Sequence, residues 1–118
     1  MPHNLIDRLK KSRISEVSVG DMTFIVQRPT DIAYAKHKQA EHSVFEVVRD
    51  AVVGWRGVKE SDIISDGSDS EVEFDKELWA LWLEDRYDFW NPIHEHILDK
   101  YCSYIDSREE AKKNSQTG

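Results

Sequence analysis

Val44-Phe45-Glu46-Val47-Val48-Arg49-Asp50-Ala51-Val52-Val53-Gly54-Trp55-Arg56-Gly57-Val58 is the stretch from which the fold is read. Val44, Val48, Ala51, Val52 and Trp55 recur at the three-and-four spacing of one helix side, and Phe45 and Val47 widen that stripe. The spacing predicts a helix over 44–55 with this side buried. Gly54 and Gly57 bracket Trp55. Glycine takes positive φ without a Cβ clash, so the helix is expected to end there and the chain to turn while the indole stays packed beneath it. Trp55 is thus expected to anchor the core at a turn, with Gly54 and Gly57 as its supports.

Downstream, 59–71 is rich in Ser, Asp and Gly. Such a segment buries too little surface to order itself and is expected to be a mobile acidic loop. Val72-Glu73-Phe74-Asp75 restarts order. Asp75 is placed to cap a helix reaching about Asp85, with Phe74 stapling against Trp79, and Leu78, Leu81, Trp79 and Trp82 form its apolar face. An aromatic connector over 86–90 leads to Asn91-Pro92, a cap followed by proline at a first helical position. The last helix then carries Ile93, Ile97, Tyr101 and Tyr104 on one stripe, with Leu98, Cys102 and Ile105 beside it. Beyond 106 it is expected to fade into a flexible tail, 107–118.

Upstream, Asn4 heads a short amphipathic pattern with Leu5, Ile6 and Leu9 opposite Arg8, Lys10 and Lys11. Val17 and Val19 alternate with polar residues, Gly20-Asp21 supplies a turn, and 22–26 is β-rich, which reads as a hairpin. Two strands alone are marginal in water, so this hairpin must lean on helices. Pro29 ends its second strand, Thr30 offers an N-cap, and Asp31 sits well against the helix dipole. Residues 31–54 form one helix or two, with the polar 36–42 as the possible break. The expected fold is mainly α, a small N-terminal β-hairpin packed on a bundle of three to four helices, as a single domain over 1–106.

At 118 residues the chain suits one core. Its net charge of -7, from 23 acidic and 16 basic residues, argues against binding nucleic-acid backbones, which requires clustered cations. The lone Cys102 allows no internal disulfide, fits a reducing compartment and, lying among helical core residues, is expected to be buried. No run has the length of a signal peptide or a membrane span, so a soluble protein without membrane partners is expected.

Asp62, Asp66, Gly67 and Glu73 fall at positions one, five, six and twelve of an EF-hand loop, but Ile64 at position three and Asp69 at position eight break the pattern. His94 and His96 point about 200° apart on a helix, and His3, His37 and His42 stand in no spacing that adds a ligand. With no phosphate loop or nucleophile motif either, the expectation is a non-enzyme without metal or cofactor. Five aromatics, Trp79, Trp82, Tyr87, Phe89 and Trp90, lie closer together than one helix face can hide. Trp79 is assigned to the core. Trp82, Tyr87, Phe89 and Trp90 are the candidate partner-binding set.

In order and spacing these residues resemble the tail assembly chaperones of long-tailed, siphovirus-type bacteriophages. The likeness rests on the strand pair, the helix at Thr30, Trp55-Arg56-Gly57-Val58, the Asp66-Gly67 acidic loop, the Phe74-Asp75 restart and two closing helices, from about Val17 to Ile105. The loop is longer and more acidic, and the Trp79–Trp82 helix richer in tryptophan, than that family's usual pattern. The resemblance implies a host-cytoplasmic protein outside the mature virion that binds the tape measure protein, keeps it soluble and promotes polymerisation of the tail tube protein around it, with self-association. It also implies two product lengths through a programmed frameshift. Lys112, Lys113 and Asn114 are the candidate position, since they can be encoded by the slip-prone A AAA AAC, and only Ser115 to Gly118 follow. The competing reading is a small acidic immunity or inhibitor-type protein that masks a basic site on a partner.

Overall fold

A computed structural model describes residues 2–117, with side chains from 4 to 113. The chain is mainly α, with six helices and a small three-stranded antiparallel sheet among these residues. Helix α1 (Pro2–Ser12) precedes the expected hairpin, β1 (Ile14–Val19) and β2 (Met22–Gln27), which turns at Gly20 with φ 62. Thr30 caps α2 (Asp31–Gln39) by accepting the Ala33 N–H at 3.1 Å. The polar stretch does divide 31–54. Glu41 enters the left-handed region at φ 57, and His42 N–H returns to the His37 carbonyl at 2.9 Å before α3 (Val44–Ala51) begins.

The helix read over 44–55 stops four residues early. Val52–Arg56 is a third strand, β3, paired antiparallel with β2 in the order β1-β2-β3. Trp55 therefore lies on a strand opposite Phe24, not at a helix end. The misreading has a physical cause. Ile25 pairs with Gly54 and Val26 with Val52, leaving Val53 as the extra residue of a β-bulge. A bulge shifts the alternation by one, so Val52 and Trp55, three apart, both face the core, the spacing a helix would produce. Gly54 is likewise no helix terminus: a Cβ there would sit 3.2 Å from Ile25 Cδ1, so glycine makes room for its cross-strand neighbour. Gly57 does take positive φ, 72, directly after the strand.

After Val58 the acidic segment is more ordered than its composition predicts. Lys59 and Glu71 form a β-bridge, and Val72 N–H reaches the Val58 carbonyl at 2.8 Å. The single turn α4 (Glu60–Ile63) is closed by Asp62, which accepts the Lys59 N–H at 2.8 Å, and the Glu60 carboxylate accepts the Ser68 N–H at 3.1 Å. Backbone pairing at both ends of the loop substitutes for the apolar burial it lacks. Asp75 caps α5 (Lys76–Glu84) as expected, accepting the Leu78 N–H at 2.9 Å. Phe74, however, meets Trp55 edge-on, with centroids 5.0 Å apart.

Helix α6 (Tyr87–Thr117) begins four residues before Asn91, which caps nothing; Pro92 lies inside it. Proline removes one helical N–H, so the Asp88 carbonyl loses that partner. Burial of Phe89, Ile93 and Ile97, at four-residue spacing and all 0% exposed, accounts for the early start. Nor does the helix fade at 106. Arg108 Nη1 bonds Asp31 at 2.7 Å, and Tyr101 donates to the other oxygen of that carboxylate at 2.9 Å. This clamp holds α6 against the start of α2, and the backbone stays helical through Thr117, past Lys112 and Lys113.

The core sits between the sheet and α3, α5 and α6. Its centre is aromatic: Phe24 meets Trp79 and Phe89 at 5.2 Å each, and Trp82 meets Trp55 at 5.6 Å and Phe89 at 5.1 Å.

Candidate functional site

The structure splits the aromatic set proposed for partner binding. Trp82 and Phe89 belong to the core, at 5% and 0% exposure, which removes them from any partner surface. Arg86 lies over the Phe89 ring, 4.0 Å from its centroid, and Asp88 holds its guanidinium through two hydrogen bonds. Tyr87 is 68% exposed. Trp90 is half-buried, its ring tilted against those of Tyr87 at 5.0 Å and Phe45 at 5.4 Å, with its Nε1 donating to the Leu83 carbonyl at 3.0 Å. Phe45, Glu84 and Trp90 line a shallow groove between α3, α5 and α6. Leu81, expected on the buried face of α5, is instead exposed on the same side as Glu84.

A second apolar surface went unread as a site in the sequence. α1 keeps its amphipathic pattern, but Leu5, Ile6 and Leu9 stay 67%, 49% and 53% exposed. Leu9 and Ile32 border a cleft with Tyr104, Arg13 and Arg28. Arg28 is buried, its guanidinium 3.7 Å above the Tyr104 ring and donating to the Pro29 carbonyl at 3.2 Å. Arg13 Nε is buried without a hydrogen-bond partner. The sequence signal was the 5, 6, 9 spacing; what it lacked was any sign that no core would meet that face.

Ionisable groups are perturbed mainly at ion pairs. Hydrogen bonds from Arg108 and then Tyr101 hold the Asp31 carboxyl below its ordinary range, and Arg56 does the same for Glu16. Burial, with Lys100 adding to it, lowers the His96 imidazole, whose Nε2 lies 2.8 Å from Ser15 Oγ.

The structure also assembles a group that linear spacing did not. His37 and His42 place their Nδ1 atoms 2.8 Å apart, and one nitrogen of each ring lies with an Asp50 carboxylate oxygen within 4.8 Å of one another. His94 and His96 stay separate from it. Cys102, expected to be buried, is exposed. Asp62 is engaged as a cap within its loop. No helix among the described residues is long and apolar enough to cross a membrane. No protein-family model, curated protein or solved structure matches the chain.

Proposed function

We propose that this chain is a tail assembly chaperone of the long-tailed bacteriophage type, which covers apolar stretches of a tape measure protein until tail tube subunits polymerise around it. The observation that carries the reading is the apolar surface left open, the exposed side of α1 together with exposed Leu81 and with exposed Tyr87 beside half-buried Trp90 and Phe45, on a chain of net charge -7. Aromatic and aliphatic side chains left outside a well-filled core are anchors for a partner. A long amphipathic helix offers the complementary stripe, and unassembled it aggregates unless that stripe is covered. Several acidic copies along such a helix add like charge, which favours solubility. The order of motifs around Trp55-Arg56-Gly57-Val58 and Phe74-Asp75 supports the same family.

Co-expression with a tape measure protein of a long-tailed bacteriophage tests the reading. The expected result is a soluble complex that persists at about 1 M salt, where screening shortens the electrostatic range to about 3 Å. A partner that stays insoluble overturns the proposal. The second reading, an inhibitor-type protein masking a basic site, is favoured by the loop, which holds Asp66, Asp69 and Glu71 exposed on a hydrogen-bonded frame. A complex that forms with a basic partner and dissociates at that salt concentration would select it.

A further inference from the structure

His37, on the last turn of α2, and His42, in the connector after Glu41, bring their Nδ1 atoms to 2.8 Å. A single N–H···N hydrogen bond between neutral rings accounts for that distance. Two carboxylates flank the pair. Asp50, on α3, supplies a carboxylate oxygen to the same small volume. Glu46, one turn before it, places Oε2 3.2 Å from His42 Nε2. Metal-bound histidines are commonly held this way, with a carboxylate fixing the proton on the far nitrogen so that the near lone pair faces the ion.

We propose that His37, His42 and Asp50 form a three-ligand site for a divalent transition-metal ion, with zinc the best match and Glu46 as a positioning residue. Two imidazoles and a carboxylate are a borderline donor set that suits zinc, and three protein ligands leave a fourth position for water or a partner's side chain. The cluster also has a rigid base. His42, Glu46 and Asp50 follow at four-residue spacing along and just before α3, so they share one face of it. Ligand distances of about 2.0–2.2 Å require the two rings to part slightly and the exposed Asp50 carboxylate to close in on them. Arg49 Nε holds Asp50 Oδ1 at 3.0 Å, a bond that occupies one of the two carboxylate oxygens.

Titration of the purified chain with zinc chloride, in competition with a chromophoric chelator, tests the site, with the histidine ring resonances followed in parallel. The expected result is one equivalent bound with micromolar affinity, moving the His37 and His42 ring signals but not those of His94 and His96. His37→Gln and His42→Gln should each weaken binding by at least about tenfold, and Glu46→Gln by about 10- to 100-fold. Circular dichroism checks that the variants fold; Asp50→Asn, a nearly isosteric change at an exposed position, keeps the test decisive should a histidine variant not fold. Absence of zinc binding overturns the proposal. So does binding that every variant leaves within about threefold of the parent, which would place the ion on other surface carboxylates. If Glu46→Gln alone leaves the affinity unchanged, the positioning role falls.

Discussion

Trp55 ties β3 to α5 and to the segment that leads into it. Its ring meets Phe74, Trp79 and Trp82, and its Nε1 donates to the Val72 carbonyl at 2.7 Å, joining β3 to the far end of the acidic loop. Trp55→Ala should lower the unfolding free energy by about 3–5 kcal/mol, from the cavity and the orphaned carbonyl together. Urea denaturation measures it, and a loss well under about 1 kcal/mol would show that the core does not depend on Trp55. The glycines allow a finer comparison. Gly20 and Gly57 both hold positive φ, but a Cβ at Gly20 meets open space whereas one at Gly57 would lie 2.9 Å from the Asp21 carbonyl oxygen. Gly20→Ala should therefore cost only the left-handed backbone penalty of about 1–2 kcal/mol. Gly57→Ala should cost measurably more, and equal losses would show that the Asp21 contact relaxes freely.

Helix α6 owes its length to contacts at both ends. Phe89, Ile93 and Ile97 draw its start back through Pro92, and Arg108 and Tyr101 draw its later turns onto Asp31. Its pairing with β1 carries a pH dependence. The folded state holds His96 below its ordinary value of 6.5, because burial disfavours the charged ring and Lys100 repels it. Below that value the unfolded chain binds more protons than the folded one, so stability falls as pH drops from neutral and levels off beneath the folded-state pKa. The melting temperature should decline over that window, and His96→Gln should flatten this part of the profile. An unchanged slope in the variant would assign it to other groups. Asp31 acts at lower pH. Its depressed carboxyl contributes above the unfolded carboxylate range and loses that contribution as pH falls through the folded value. Asp31→Ala should accordingly speed amide exchange in the first turn of α2, where the carboxylate also faces the helix dipole.

The molecule as a whole measures 62 × 36 × 23 Å, an elongated body whose core lies between the sheet and three helices while two apolar faces remain open. Substitutions should separate accordingly. Leu5→Ser with Leu9→Ser, or Tyr87→Ala, should leave the melting temperature close to the parent's and, under the proposed function, reduce retention of a tape measure protein in pull-down. Trp82→Ala and Phe89→Ala should instead unfold or strongly destabilise the chain, since both rings lie in the aromatic centre. If the surface variants retain full partner binding, both apolar faces are excluded together. The binding surface would then be sought along the exposed side of α6.

Short-range chemistry was legible in the sequence because it depends on neighbours a few positions away. The Gly20-Asp21 hairpin, the Thr30 and Asp75 caps, the division of 31–54 at its polar stretch as one of two options, and the Phe89-free stripe of Ile93, Ile97, Tyr101 and Tyr104 all follow from local spacing and hydrogen-bonding capacity. Tertiary structure decided what local rules leave degenerate. Val52 and Trp55 share a face equally well on a helix or on a bulged strand, and only the free edge of β2 selects the strand. An apolar helix side such as Leu5, Ile6 and Leu9 carries the same pattern whether or not a core exists to receive it. The meeting of His37, His42 and Asp50 likewise required the turn at Glu41 to bring His37, at the end of α2, near Asp50 on α3, a juxtaposition that distance in space sets and distance along the chain does not.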